Sequence, residues 1–201
     1  MLRGMVFVDH MNFDISVKSY YYNLGQTAPK LDYNKLFSNV VALVPNVDYL
    51  KTFIFAPKPD DFLMNDPKLS SYYKWIVGLK GSKYIDVIEG RYVARPVGER
   101  DEMDINDHRS YLKVEKGTDI NLAIRALSNA YFNAYDIAFV MSGDTDYISV
   151  YKQLKNLGKI VVVVGLDGQN LNKIIPEVDD VRYLNDTFFQ QCIRPQPITN
   201  I

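Results

Sequence analysis

The chain is poor in the residues that would make several chemistries easy. It has one cysteine, two histidines and one tryptophan among 201 residues. A lone Cys192 forms no internal disulfide, and with no signal-peptide pattern ahead of it the expected setting is reducing and cytoplasmic. Only His10 and His108 are available, so neither Ser/His/Asp nor Cys/His catalysis is supported. Positive charge is not in excess either: 23 Lys and Arg stand against 24 Asp and Glu, a net charge of -1. That balance lacks the basic footprint of a protein that coats duplex DNA, although it leaves room for a local basic groove. No apolar stretch approaches the roughly 18–20 residues needed to span a bilayer, so no membrane association is expected. Met1-Leu2-Arg3-Gly4 runs straight into a strand without an apolar targeting region. No phosphate loop of the Walker type is present, because Gly165-Leu166-Asp167-Gly168 is not followed by Lys and Ser or Thr. Nothing resembling a repeat, a low-complexity tract or a linker divides the chain. One domain over residues 1–190 is expected, with a fraying tail at 191–201 that Arg194-Pro195-Gln196-Pro197 introduces.

What is present is an alternation of strand and helix patterns. Met5-Val6-Phe7-Val8 reads as a buried strand that delivers Asp9 to its carboxyl end. Ser16 to Tyr22 suggests a helical turn with Gly25 as its stop, and Leu31 to Val44 a helix closed by Pro45. Leu50 to Phe55 is a second strand, Lys68 to Leu79 a helix ended by Gly81, and Tyr84 to Ile88 a third strand. Arg91 to Arg95 and Tyr111 to Glu115 pair as a long hairpin around the polar, mixed-charge segment Pro96 to Ser110, read as a mobile tip. A helix follows with Thr118 as N-cap and Ile120, Ala123, Ile124, Leu127 and Tyr131 as its buried face. Ile137 to Met141 is a strand, Tyr147 to Leu157 a helix capped by Gly158, and Lys159 to Val164 an apolar run typical of a parallel strand buried on both faces. Gln169 to Ile175 suggests a short helix stopped at Pro176, and Val181 to Leu184 an edge strand. The expected architecture is α/β: a three-layer α/β/α sandwich with a mostly parallel, doubly wound sheet and a β-hairpin extension.

Carboxylates gather at the carboxyl ends of these strands: Asp9, Asp119 at a helix start, and Asp144 with Asp146 in Ser142-Gly143-Asp144-Thr145-Asp146. Each alone is equally well a turn former, a helix-dipole partner or an N-cap. Jointly, at ends of the same polarity, they favour a site at a topological switch point, where ligands bind in open α/β sheets. Four carboxylates in one pocket repel at low dielectric and demand a divalent cation. An oxygen-only shell suits Mg²⁺ or Mn²⁺ better than zinc, and such an ion activates water against a phosphodiester. Lys116, Arg91, Arg95, Lys113 and Arg109 are candidates to hold a nucleic-acid backbone, or else ordinary solvated charges balanced by Glu99, Asp101, Glu102 and Asp104. The 15 tyrosines include potential stacking partners for bases, though aromatics more often serve core or interface.

The segments Val8-Asp9-His10-Met11-Asn12, Lys116-Gly117-Thr118-Asp119 and Ser142-Gly143-Asp144-Thr145-Asp146-Tyr147 resemble the motifs of NYN domains, the LabA-like branch of the PIN-like nucleases. The likeness covers roughly Met5 to Leu184. It implies a Rossmann-like, PIN-like sheet and a metal site for phosphodiester cleavage, usually of RNA, with Asp9, Asp119, Asp144 and Asp146 as catalytic metal ligands. It also implies that Asn12 helps shape the site and that Ser142 opens the third motif. Two departures stand out. His10 takes the place of a common Gly, where a side chain would crowd the pocket or add a ligand or proton donor. Gln169-Asn170-Leu171-Asn172 replaces a Ser-containing segment. The expectation is therefore a Mg²⁺- or Mn²⁺-dependent endoribonuclease acting on single-stranded RNA. A non-catalytic RNA-binding or regulatory protein retaining the fold is the alternative. A phosphatase or nucleotidase ranks third, since Met11 stands where an aspartyl-phosphate mechanism wants a second Asp. The sequence leaves open a homo-oligomer or a protein partner.

Overall fold

The computed structural model describes residues 1–98 and 102–195. The centre of the connection expected at 96–110 and the end of the expected tail lie outside the described residues. Seven strands form one sheet: β1 (Leu2–Asp9), β2 (Val47–Pro59), β3 (Ile85–Pro96), β4 (Tyr111–Lys116), β5 (Ile137–Met141), β6 (Ile160–Leu166) and β7 (Asp180–Leu184). Their order is β4-β3-β2-β1-β5-β6-β7, and every pairing is parallel except the antiparallel β3–β4 hairpin. Helices cover both faces, so the fold is the expected mostly parallel α/β sandwich with a hairpin extension. The chain runs outward from β1 through β2, β3 and β4, then returns to place β5 on the other side of β1. That reversal creates the switch point, with Val8 beside Met141. Among the described residues no helix is long and apolar enough to cross a membrane.

Strict alternation along the central strands builds two cores. Val6, Val8, Ile54, Phe139, Met141, Val162 and Val164 point to one face, where α1 (His10–Asn23), α2 (Tyr33–Ala42), α3 (Pro67–Gly78) and α6 (Asp186–Gln191) pack. Met5, Phe7, Phe53, Phe55, Val140, Val161 and Val163 point to the other, against α4 (Thr118–Tyr131) and α5 (Ile148–Asn156). A third, small cluster of Leu63, Ala94 and Tyr111 supports the hairpin. Cys192 is buried in the first core, and its carbonyl accepts from the Asp32 amide at 2.8 Å.

Several local expectations are corrected. The first helix begins at His10, with no connecting residue after β1, because the Asp9 side chain caps it. The N-cap of α4 is Gly117 and Thr118 is its first residue. At φ +81° the turn before α4 needs a residue without a Cβ penalty. The buried face of α4 is Leu122, Ala126 and Ala130, while Ile120 and Ile124 are 63% and 58% exposed and Tyr131 is exposed too. Three phenylalanines, Phe7, Phe53 and Phe55, occupy the strand side of this interface. The sheet supplies much of the bulk, so beside Leu122 the helix presents alanines, Leu127 packs at the margin of the core, and Ile120, Ile124 and Tyr131 turn outward. Gln169 to Ile175 forms turns instead of a helix, followed by a single 3-10 turn, Ile175–Glu177, in which Pro176 sits at the start.

Candidate active site at the switch point

Asp9 is the last residue of β1 and the N-cap of α1, so its position is fixed from both sides. Its Oδ1 accepts from the Asn12 amide at 3.1 Å. Its Oδ2 accepts from the Ser142 hydroxyl at 3.2 Å and lies 3.4 Å from the Tyr147 hydroxyl. Ser142 follows β5 directly and also accepts, from the Asp144 amide at 3.2 Å. The Asn12 side-chain carbonyl accepts from the Gly143 amide at 3.0 Å and so ties α1 to the turn after β5. Asp144 caps the 3-10 turn Thr145–Tyr147 that leads into α5, accepting from the Asp146 amide at 2.9 Å. The capping reading of Asp144 is therefore real, and it holds the carboxylate at the same edge as Asp9.

Asp119 enters from the other side. The Gly117 turn sets it in the first turn of α4, and the Tyr147 hydroxyl donates to its Oδ1 at 2.6 Å. Gly90 on β3 makes this approach feasible: an added methyl there would collide with the Thr118 hydroxyl and lie 2.9 Å from the Thr118 nitrogen. One phenolic proton thus stands between two carboxylates, Asp9 and Asp119.

The electrostatics follow from this crowding. Asp9 is 6% exposed, and burial pushes its carboxyl up to about 6, with Asp119 and Glu115 adding repulsion against the Asn12 and Ser142 hydrogen bonds. Glu115 is raised by its own burial and by Asp119. The Tyr147 phenol is raised by burial and by Asp9, Asp119 and Asp144, which keeps it a proton donor. Tyr147 and Glu115 are absent from the residues singled out in the sequence as site-forming. The aromatic that closes the Ser-Gly-Asp-x-Asp-aromatic element was the available signal for Tyr147; Glu115 carried none beyond its place three residues before Thr118.

Other candidates lie farther out. Asp146 is exposed, and among the described residues its carboxylate makes no hydrogen bond or ion pair. Arg91 stands opposite Lys116 across β3–β4, and Lys58 is its partner across β2–β3, a row of three exposed cations. Arg95 is exposed farther along β3, opposite Leu112. Lys113 approaches Asp66 at 3.8 Å, and Arg109 pairs with Asp107 at 3.1 Å. His10 corrects its expectation. Its ring is wholly buried on the α2–α3 side, engaged by the Tyr72 and Tyr33 hydroxyls at 2.5 and 2.8 Å and flanked by Trp75. Burial lowers its pKa to about 3, so it is a neutral core residue and neither crowds the acids nor serves as a ligand. Gln169 closes over the turn after β5: its side chain packs on Gly143 and accepts from the Leu166 amide at 3.0 Å.

The donor set can be tested against a divalent ion. Carboxylate and hydroxyl oxygens suit a hard cation such as Mg²⁺ or Mn²⁺. Among the described residues no group of three or more His, Cys, Asp or Glu side chains is arranged to hold a metal ion. Mg²⁺ is commonly held by one or two carboxylates, with water and substrate phosphate completing its shell. Asp9 and Asp119, aimed at one hydroxyl, fit that kind of half-site.

The sequence matches the model of the NYN domain over residues 3–185. The chain belongs to the NYN domain family. NYN domains are part of the PIN-like nuclease superfamily, which gives this one a nuclease or RNA-related role. The NYN fold here is similar to the crystal structure of a protein of unknown function from Vibrio parahaemolyticus, with a TM-score of 0.54 at 18% identity over 94% of this chain and 95% of that one. Among curated proteins none matches this NYN domain.

Proposed function

We propose that this NYN domain is a divalent-metal-dependent endoribonuclease of the LabA-like branch, cleaving single-stranded RNA. The observation that carries the reading is the convergence of Asp9 and Asp119 on the Tyr147 hydroxyl at the β1–β5 switch point, with Asp144 beside them. Asp9 and Asp119 would hold the cation, with Asp144 and Asp146 reaching it through water. A bound divalent ion supplies a water of lowered pKa and offsets charge on the phosphoryl oxygens. Ser142 and the Asn12 amide hold the Asp9 carboxylate in one orientation, so no reorganisation is needed when substrate arrives. The Lys58–Arg91–Lys116 row offers phosphate contacts beside the acids, with Arg95 farther along the hairpin. Near-neutral net charge favours a single strand over a duplex. The departure at His10 no longer argues against activity, because that ring faces away from the acids.

Asp144→Asn is the decisive variant, assayed with Mg²⁺ or Mn²⁺ on a labelled single-stranded RNA. Cleavage is expected to vanish while the circular dichroism spectrum stays unchanged. Undiminished cleavage in that variant sinks the proposal. Binding by the wild type without product under every metal tested would point to a non-catalytic RNA-binding protein, and turnover of nucleotides alone to a phosphatase.

A further inference from the structure

Three cavities on the α1–α3 face join into one groove. The first, about 230 Å³, lies beside Met11 next to the site and is walled by Tyr72 and Lys68. The second, about 400 Å³, shares Asp14 and Lys18 with the first. The third, about 450 Å³, shares Tyr33, Trp75 and Arg194 with the second. The groove therefore begins one residue from Asn12 and ends beyond the tryptophan.

Its charge is unlike that of the chain. Five cations line it, Lys18, Lys30, Lys68, Lys74 and Arg194, against two carboxylates, in a protein of net charge -1. Both carboxylates are engaged: Asp14 pairs with Lys18 at 2.5 Å, and Asp32 caps α2. Among the described residues the other four cations make no ion pair. Between them stands the single tryptophan, 40% exposed, its ring braced edge-on by His10 and Tyr33 at 5.6 and 5.2 Å. Unpaired cations spaced along a trough suit a polyanion, and an exposed, rigidly held indole suits a flat ring stacked on it. Single-stranded nucleic acid offers both, whereas a duplex hides its base faces and an acidic peptide lacks them.

We infer that this groove holds the flanking stretch of a single-stranded RNA whose scissile phosphate sits at the Asp9 site, with Trp75 as a base-stacking platform and Lys30 and Arg194 on phosphates. The inference rests on RNA being the substrate, and it adds a second binding region outside the catalytic acids.

Trp75 reports on its own occupancy, being the one indole in the chain. Its fluorescence is titrated with a twelve-nucleotide and a three-nucleotide single-stranded RNA in EDTA. The same is done for Lys30→Glu/Arg194→Glu and for a charge-matched control, Lys152→Glu/Lys155→Glu, on α5 across the sheet from the groove. The longer RNA should quench the wild type and the control alike. In the groove variant its affinity should fall at least tenfold at low salt, and the log–log salt slope should shrink by about 1.4, about 0.7 for each phosphate that is no longer neutralised. Equal loss in the control variant, unaltered affinity in the groove variant, or equally tight binding of polyglutamate would overturn the groove. Metal-dependent cleavage that persists beside such a result would leave the nuclease reading standing. Length-dependent quenching without any cleavage by the wild type would uphold the groove and remove that reading.

Discussion

Asp9→Asn should make the protein inactive and, at alkaline pH, more stable. The folded chain binds a proton at Asp9 up to about pH 6, whereas an unfolded aspartate releases it near 3.8. Between those values the native state holds more protons, so stability falls as pH rises through the window, and the full loss is present above about 6. At about 1.4 kcal/mol for each tenfold change in proton affinity, burying this charge costs about 3 kcal/mol. Asparagine keeps the oxygen that caps α1 and places an amide where the Ser142 hydroxyl can accept. Its fixed cost, on the order of 1 kcal/mol, is independent of pH. His10 works in the opposite sense. An unfolded imidazole protonates below 6.5 and the folded one only near 3, so its contribution is lost as pH falls. That slope is common to both proteins and cancels in their difference. Urea denaturation in EDTA at pH 4, 6 and 8 should therefore show the difference in stability shifting by about 2.5 kcal/mol in favour of the variant, since about 0.5 kcal/mol is already lost at pH 4. Added Mn²⁺ should stabilise the wild type alone. A difference that stays constant from pH 4 to 8 would refute the idea that Asp9 is held as a costly buried charge.

Gly90→Ala should cost about 1–3 kcal/mol and lower cleavage more than tenfold, because the added methyl meets the α4 backbone that positions Asp119; normal cleavage with normal stability would contradict it. His10→Leu strands two phenols and should cost about 2–4 kcal/mol, while flattening the acid-side loss of stability between pH 6.5 and 3; an unchanged acid profile in urea melts would show that His10 titrates elsewhere. On α4, Ile124→Asp should change stability by no more than about 0.5 kcal/mol, whereas Ala126→Leu should cost about 1–3 kcal/mol; thermal melts giving the reverse ranking would restore the face expected from periodicity.

The elements that were legible in the sequence are those whose burial is two-sided. Val161 to Val164 and Ile137 to Met141 are apolar without interruption because helices cover both faces, so the pattern has one reading. Helix α4 misled because periodicity marks the face with the largest apolar residues, while the sheet beneath had already filled the space with phenylalanine. His10 could not be placed from its neighbours, since the tyrosines that engage it come from α2 and α3. Asp9, Asp119 and Asp144 were legible because each sits at a strand or helix end that local pattern can locate. The sharing of the Tyr147 hydroxyl by Asp9 and Asp119 was not, because it depends on how β5 and α4 are set beside β1. The groove was illegible for a similar reason: Lys30, Trp75 and Arg194 come from three distant stretches of chain.

The junction of β1 and α1 has no slack. Asp9 ends the strand and His10 begins the helix, so one inserted residue would rotate all of α1 by about 100°, turning Phe13 out of the core and Asn12 away from Gly143. The geometry of the acids and the docking of α1 are thus one cooperative unit: the acids cannot be aligned while the helix is detached. Ligands gripping Asp9 accordingly pull on the same equilibrium, and their binding should appear as slower hydrogen exchange along the amides of α1, well beyond the residues they touch.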